Sequence, residues 1–578
     1  MAGIDSKEFM DELHFCIKAR DIVKAKALLQ FASDSNIDVS IQQKALAALG
    51  RAPESLAFPL LEHLLKVEIS NPETNKALYE LILEKSYGRT DLVVSYIHHE
   101  HKKSRLVFIQ AAGDLMLLDA APDLAQILTS KNKTKGDREV IIAATKALGA
   151  MRLEQYLPLL AQICSNPDPA IGHAAIFAMA EMGTNAAVEN LFYTITTPGE
   201  SKTNTSNDTT LVAIEALATI QNQYALDSLV RLLESPITDI RDAAIDQFTA
   251  IGNKAVPTLT TAARDVKSDY MIHLVTTLGY IGDKSALPLL IDLINIQPED
   301  PNIRQALYES LERIPSAKSS ICLAGGLSDK VEAVRMSAAR AVDKNLSRVL
   351  VAGLKNIVRQ EDGTALSAVA ALIDAEADNI LNFLLDEESF IRLAFDHVTN
   401  RADPATQNHF LEILRLKNRR SIAAALEEKI EKKPSATNTR SKKKYILKIY
   451  VVDDSKMMLK LYQNKLIKFG YSPTAFEFPE KAITAISIEK PDILITDLNM
   501  PKINGIQLTR QLRRKYTQKE LPIIMITTQS DFVEIDTESH QAGISNNYLA
   551  QTGINTLLHK PFTDEQLETA IQALLGVV

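Results

Sequence analysis

Tryptophan is absent from this chain of 578 residues, cysteine occurs three times, and no apolar run approaches the ~20 residues a membrane-spanning helix needs. Each scarcity excludes something. Cys16, Cys164 and Cys322 lie far apart in apolar helical contexts, which points to packing and away from a disulfide frame or a thiolate metal site. The opening MAGIDSKEFM has neither the basic nor the apolar segment of a secretory signal, so the expected setting is cytoplasmic, with no membrane insertion. At 46% hydrophobic and 24% charged residues, the length predicts an ordinary chain of more than one domain.

Positive charge is also scarce where a nucleic-acid binder would need it. Residues 446–578 carry 14 Lys+Arg against 15 Asp+Glu, and residues 431–445 carry six against one. With a total of −8, residues 1–430 are left with −12. Affinity for phosphate backbones grows with accumulated Lys and Arg, so nucleic acid is not an expected partner. No Gly-rich ATP-binding box of the kinase type occurs either.

What the chain does have is a repeat. ALGRAPESLAFPLL, ALGAMRLEQYLPLL, FTAIGNKAVPTL and LGYIGDKSALPLL share an Ala/Leu-rich helix end, a short turn, and a second helix with Pro in its first turn. With the turn placed at Arg152, Gly183, Gln221, Gly252, Gly282 and Pro315, the steps are 31, 38, 31, 30 and 33 residues. Such a period predicts stacked helix pairs. In DPAIGHAAIFAMAEMG, Ile171, Ala175, Ala178 and Met179 recur at helical spacing, and Ala lets neighbouring helices approach closely. The pairs Ile240-Arg241, Ile303-Arg304 and Val334-Arg335 open helices at one phase of the repeat. On these features the region resembles HEAT-repeat proteins, particularly the short bacterial HEAT-like repeats also found in phycobilisome-lyase proteins. The resemblance implies an all-α solenoid scaffold over residues 1–430 whose function is to bind a protein partner.

Two features inside it are read as structural. The insert Thr196 to Thr210 lengthens one repeat with loop-forming residues. His98, His99 and His101 have a spacing that could hold a metal or mimic a phosphorelay histidine, but a solvated polar face is the simpler expectation. After the repeats comes EKKPSATNTRSKKK. It lacks large apolar residues and cannot offset its ordering entropy, so residues 431–445 are expected to be a flexible basic linker.

From residue 446 the period changes. ILKIYVV, SPTAF, DILIT, PIIMI and NTLL are short apolar runs separated by amphipathic stretches, which predicts five strands alternating with five helices in a doubly wound parallel sheet. Ligands bind such sheets beyond the carboxyl ends of the strands. Asp453 and Asp454, Asp497, Thr527 and Thr528, and Lys560-Pro561 each follow a strand there. Three carboxylates with one lysine suit a hard divalent cation, most simply Mg²⁺, which can bridge Asp497 to a phosphoryl oxygen while Lys560 and the Thr527 hydroxyl supply further contacts.

VVDDS, ITDLNMPKINGIQL, PIIMITTQ and HKPF, in that order, resemble the response-regulator receiver domain of two-component signalling, over residues 446–578. The resemblance implies that Asp497 is the phosphoacceptor, and that Asp453, Asp454, Asp497 and the Asn499 backbone carbonyl hold Mg²⁺. It further implies that Thr527 and Lys560 contact the phosphoryl group and that Lys560-Pro561 is a cis peptide. Two departures concern output: Leu557 stands where an aromatic switch residue is usual, and the segment 528–552 is longer than usual.

The expected whole is multidomain: an all-α HEAT-like solenoid followed by an α/β doubly wound, five-stranded receiver. Its expected function is that of a two-component response regulator rather than an enzyme acting on other molecules. Its expected donor is a sensor histidine kinase or phosphotransfer protein, and phosphorylation is expected to change protein binding by solenoid or receiver. The alternatives are a phosphate sink with a structural solenoid, and a HEAT-like enzyme or nucleic-acid binder under receiver control.

Overall fold

The computed structural model describes residues 6–32, 39–67, 69, 71–130, 138–196, 208–235, 237–265, 270–431, 447–500, 503–528, 553–560 and 562–575. The expected linker, most of the insert at 196–210, nearly all of 528–552 and Pro561 of the expected cis peptide lie outside those residues. Contacts divide the chain into two units, Met1–Ser228 and Leu229–Val578. The second unit holds later repeats together with the sheet.

In the first unit, helices Lys102–Asp114, Arg138–Ala150, Pro169–Met182 and Asp208–Ile220 stack each on the next, backed by Ala121–Thr129, Leu157–Cys164 and Asn185–Thr196. Small residues make this stacking close. A Cβ added to Gly149 would lie 2.6 Å from the Ala178 Cα, so only glycine allows the approach. Cys164 is buried in this stack, where burial pushes its thiol up to about 12, out of the range of a nucleophile or ready metal ligand.

The second unit repeats the pattern with Thr238–Ile251, Met271–Ile281, Pro301–Arg313, Glu332–Lys344, Gly363–Asp374 and Glu388–Asn400. Across the two units, five of the six turn positions named above take left-handed backbone: Arg152, Gly183, Gln221, Gly252 and Gly282 have φ between 51° and 73°. Such a residue ends a helix and reverses the chain within one turn. Pro315 is the exception, because its ring fixes φ at a negative value.

The recurring Ile/Val-Arg pair has a structural role that spacing alone did not disclose. Arg241, Arg304 and Arg335 each donate Nη1 to the carbonyl six residues upstream, at Ser235 (2.7 Å), Pro298 (2.7 Å) and Asp329 (2.8 Å). Each guanidinium thus pins the loop that enters its own helix. Arg304 also forks onto the Asp329 carboxylate of the next repeat, at 2.7 and 3.0 Å.

Helices continue to Glu431, and the first strand begins at Lys448. Strands β1 (Lys448–Val452), β2 (Ser472–Phe476), β3 (Ile493–Asp497), β4 (Ile523–Thr528) and β5 (Thr556–Lys560) form one parallel sheet in the order β2-β1-β3-β4-β5. Alternate residues of the central strands face opposite cores. Ile449, Val451, Ile493 and Ile495 pack with Tyr462, Leu466 and Ile571, whereas Tyr450, Val452 and Leu494 pack with Ile486 and Leu508. Pro473 is tolerated because β2 is an edge strand. Four flanking helices lie in the described residues, Lys456–Lys468, Pro479–Ile488, Gly505–Arg513 and Asp564–Leu574. No described helix is long and apolar enough to cross a membrane.

Gly149→Ala drives a methyl into the neighbouring helix and should cost about 1–3 kcal/mol, as overpacking does. Thermal unfolding followed by circular dichroism measures it, and an unchanged melting profile would contradict the close approach of these helices.

Candidate functional site

The order of the sheet reverses between β1 and β3, and at the carboxyl ends of those strands the polar residues gather. Three placements differ in detail from the sequence reading. Asp497 and Lys560 are the last residues of β3 and β5, and Thr527 lies within β4, so these side chains are fixed by strand hydrogen bonds instead of standing in the loops that follow.

Lys560 Nζ donates to Asp497 Oδ1 at 2.6 Å and reaches Asp453 Oδ2 at 3.5 Å. The Asn499 backbone N–H donates to Asp497 Oδ2 at 3.1 Å, and the Ser455 N–H to Asp453 Oδ1 at 2.9 Å. Asp453, Asp497 and Thr527 are buried, and with Asp454, Asn499 and Lys560 they line one cavity of about 340 Å³. The six residues expected as metal ligands or phosphoryl contacts thus lie around one cavity.

Local sequence explains the placement. Ser455 caps the helix after β1 by accepting the Met458 N–H at 3.3 Å, which turns the chain away just beyond Asp453 and Asp454. After β3, Asn504 and Gln507 form a reciprocal capping box that starts the next helix. Between them the chain folds back so tightly that the Gly505 N–H donates to the Leu498 carbonyl at 2.9 Å. A Cβ at Gly505 would lie 2.3 Å from the Asp497 carbonyl oxygen. That glycine therefore secures the backbone at Asp497.

Three carboxyl groups face one ammonium here, and burial first, then neighbouring charge, sets the acidities of Asp453 and Asp454. Burial pushes the Asp453 carboxyl well above the usual carboxylate range, with Lys560 opposing and Asp497 and Asp454 reinforcing the rise. Asp454 is pushed up to about 6 by burial, then by Asp497 and Glu309. Burial disfavours the charge on Lys560, yet Asp497, Tyr462 and Asp453 more than compensate and hold it protonated. An all-oxygen donor set with surplus negative charge suits Mg²⁺. Among the described residues, however, no three acidic, His or Cys side chains converge on one point as ligands do. Lys560 holds Asp497 and reaches Asp453, while the Tyr280 hydroxyl donates to Asp454 Oδ2 at 3.2 Å.

Tyr280 was not legible as a site residue. It sits in a repeat helix 174 positions away, and no spacing rule links LGYIG to VVDDS. The same holds for Asp242, Glu309 and Arg313, which line the cavity from the repeats. Leu557, at the position of the usual aromatic switch, is half-buried against Leu498, Ile506, Met525 and Ile554. The histidine cluster has ordinary partners: His98 meets Asp123 at 2.8 Å, His99 meets Glu62 at 3.1 Å, and His101 caps a helix at Ser104.

Residues 449–572 match the family model described as the response regulator receiver domain, and residues 133–201 and 267–343 match that of HEAT repeats. Chemotaxis protein CheY1 of Helicobacter pylori is 34% identical over 136 residues, which span 22% of this chain and 98% of that protein. The CheY homolog of Campylobacter jejuni is 31% identical over 93% of its length and 22% of this chain. The alkaline phosphatase synthesis regulatory protein PhoP of Bacillus subtilis is 30% identical over 48% of its length and 22% of this chain.

Gly505→Ala should displace the Asp497 carbonyl and cost about 1–3 kcal/mol. Urea unfolding monitored through near-ultraviolet tyrosine signals would register the loss, and wild-type resistance to urea would refute the tight turn.

Proposed function

Because the chain belongs to the response regulators of two-component signalling through its receiver domain, we propose that Asp497 accepts a phosphoryl group and that this modification changes the protein contacts of the repeats or the receiver. The observation that carries the reading is the 2.6 Å pair of Lys560 Nζ with Asp497 Oδ1, set between Asp453 and Thr527 at the strand ends.

The chemistry follows from that arrangement. A carboxylate oxygen of Asp497 attacks the phosphorus of a phosphohistidine on a sensor histidine kinase or phosphotransfer protein. The new O–P bond forms as the P–N bond breaks, and the leaving imidazole nitrogen takes a proton from water. Lys560 moves from the carboxylate to the arriving phosphoryl oxygens, and the Thr527 hydroxyl offers them a hydrogen bond. Asp453, Asp454, Asp497 and the Asn499 carbonyl are the groups that would hold Mg²⁺, which supplies charge neutralisation for the phosphoryl oxygens. Water later cleaves the acyl phosphate, so the receiver catalyses only its own modification and its reversal. The repeats act as a protein-binding scaffold, in keeping with helix pairs that offer long surfaces and with the −12 charge of residues 1–430. A cytoplasmic setting accords with this role.

Incubation with acetyl phosphate and Mg²⁺ should give a base-labile acyl phosphate on wild type, none on Asp497→Ala, and none on wild type in EDTA. Lys560→Ala should slow uptake by about 10²-fold, the usual scale for losing one preorganised charge contact. A wild-type protein that takes up no phosphoryl group from acetyl phosphate or from any histidine kinase would falsify the assignment.

A further inference from the structure

The acceptor site is covered, and its cover is this chain's own repeats. The opposite wall of the 340 Å³ cavity is built by the helices Thr238–Ile251, Met271–Ile281 and Pro301–Arg313. Among the described residues, four hydrogen bonds join the receiver to these helices. The Tyr280 hydroxyl donates to Asp454 Oδ2 at 3.2 Å, and Asn302 Nδ2 donates to the Lys560 carbonyl at 3.4 Å. Asn504 Nδ2 donates to Asp239 Oδ1 at 2.8 Å and Asp242 Oδ2 at 3.3 Å. Outside the cavity, Ala333, Met336 and Ala375 join the apolar cluster of the receiver, and Lys460 pairs with Glu376 at 2.6 Å. The Arg313 guanidinium lies 4.7 Å from the centre of the Tyr280 ring and braces it.

Two properties of this contact bear on the site beneath it. Tyr280 occupies the carboxylate oxygen of Asp454, a group a divalent cation would need. The repeat wall is also acidic, adding Asp242, Asp246 and Glu309 to the three carboxylates of the receiver. Phosphorylation would turn the Asp497 carboxylate, of charge −1, into an acyl phosphate of charge about −2, adding about one negative charge to that enclosure.

We propose that the acidic face formed by these three repeat helices is a docking surface for the receiver of the same chain, and that Mg²⁺ and a phosphoryl group at Asp497 displace it. This inference rests on the reading of Asp497 as phosphoacceptor. The docked form withholds Asp454 from the cation and shields Asp497 from a protein donor. The released form exposes both the acidic repeat face and the receiver's strand ends to other proteins. Coupling of this kind is reciprocal: whatever factor Mg²⁺ takes from docking, docking takes from Mg²⁺ affinity.

A protease site placed within residues 432–446 of the full chain allows the two parts to be cut apart and followed by size-exclusion chromatography. They should co-elute in EDTA and separate with Mg²⁺ and acetyl phosphate. In the uncut chain, calorimetric titration should show Mg²⁺ binding tightened by about threefold to tenfold in Tyr280→Phe, the net scale of one hydrogen bond. Lys460→Glu, remote from the cavity, should tighten it in the same direction, and the added Glu376→Lys exchange should restore the wild-type value.

Parts that separate in EDTA, parts that stay together once phosphorylated, or a Mg²⁺ affinity unmoved by both Tyr280→Phe and Lys460→Glu would overturn the proposal. So would an uncut chain that dimerises in EDTA with Lys460 and Glu376 cross-linked between copies, since the face would then serve a second copy. Acyl phosphate measured in the same samples separates the two readings. If it forms and the parts remain joined, the docking inference alone fails; if none forms, the phosphoacceptor reading fails and takes the inference with it.

Discussion

Three carboxylates gathered around a single buried ammonium group carry more negative charge than a protein interior accommodates alone, and much of the second unit is arranged around that surplus. Two like charges about 4 Å apart at an effective dielectric of 20 repel by roughly 4 kcal/mol. Lys560 answers part of it from the end of β5, and backbone N–H groups of Ser455 and Asn499 answer another part. The parallel sheet makes this possible, because it delivers the ends of β1, β3 and β5 to one edge while covered faces keep water from the strands. From the repeats, the Tyr280 hydroxyl adds one hydrogen bond to Asp454, while Asp242, Asp246 and Glu309 add further acids to the same cavity.

The repeats solve a different problem, that of packing many similar helices without voids. Glycine and alanine at contact points such as Gly149 and Ala178 bring backbones close, and left-handed turn residues reverse the chain at a regular phase. The arginine clamps at 241, 304 and 335 fix the entering loops by bonding carbonyls that no helix satisfies. A repeat built this way has little side-chain freedom at its joints, which suits a surface that must present fixed acids such as Asp239 and Asp242 to Asn504.

Legibility in the sequence followed sequence distance. The strands read clearly because β-branched runs such as DILIT must be buried on both faces, and the site residues read clearly because each ends one of those runs. Gly505 lies in the stretch ITDLNMPKINGIQL, but the reason for a glycine there, a carbonyl 2.3 Å from any added Cβ, shows only in the folded chain. The repeat phase was legible from Ala, Gly and Pro spacing, whereas the arginine at each helix start was seen without its purpose. The partnership of Tyr280 with Asp454 left no local trace. A tyrosine on a repeat helix has the same sequence signature whether it meets solvent, a neighbouring repeat or a distant carboxylate.

Leu557 gives the receiver an unusual way to report its state. An aliphatic side chain packed among Leu498, Ile506, Met525 and Ile554 has no hydroxyl and no ring to swing, so the far edge of the sheet carries no rotating indicator at that position. If Asp497 is phosphorylated as proposed, the contacts that change are those touching Asp497 itself. On that reading detection and chemistry would share one surface, and the signal would last as long as the acyl bond.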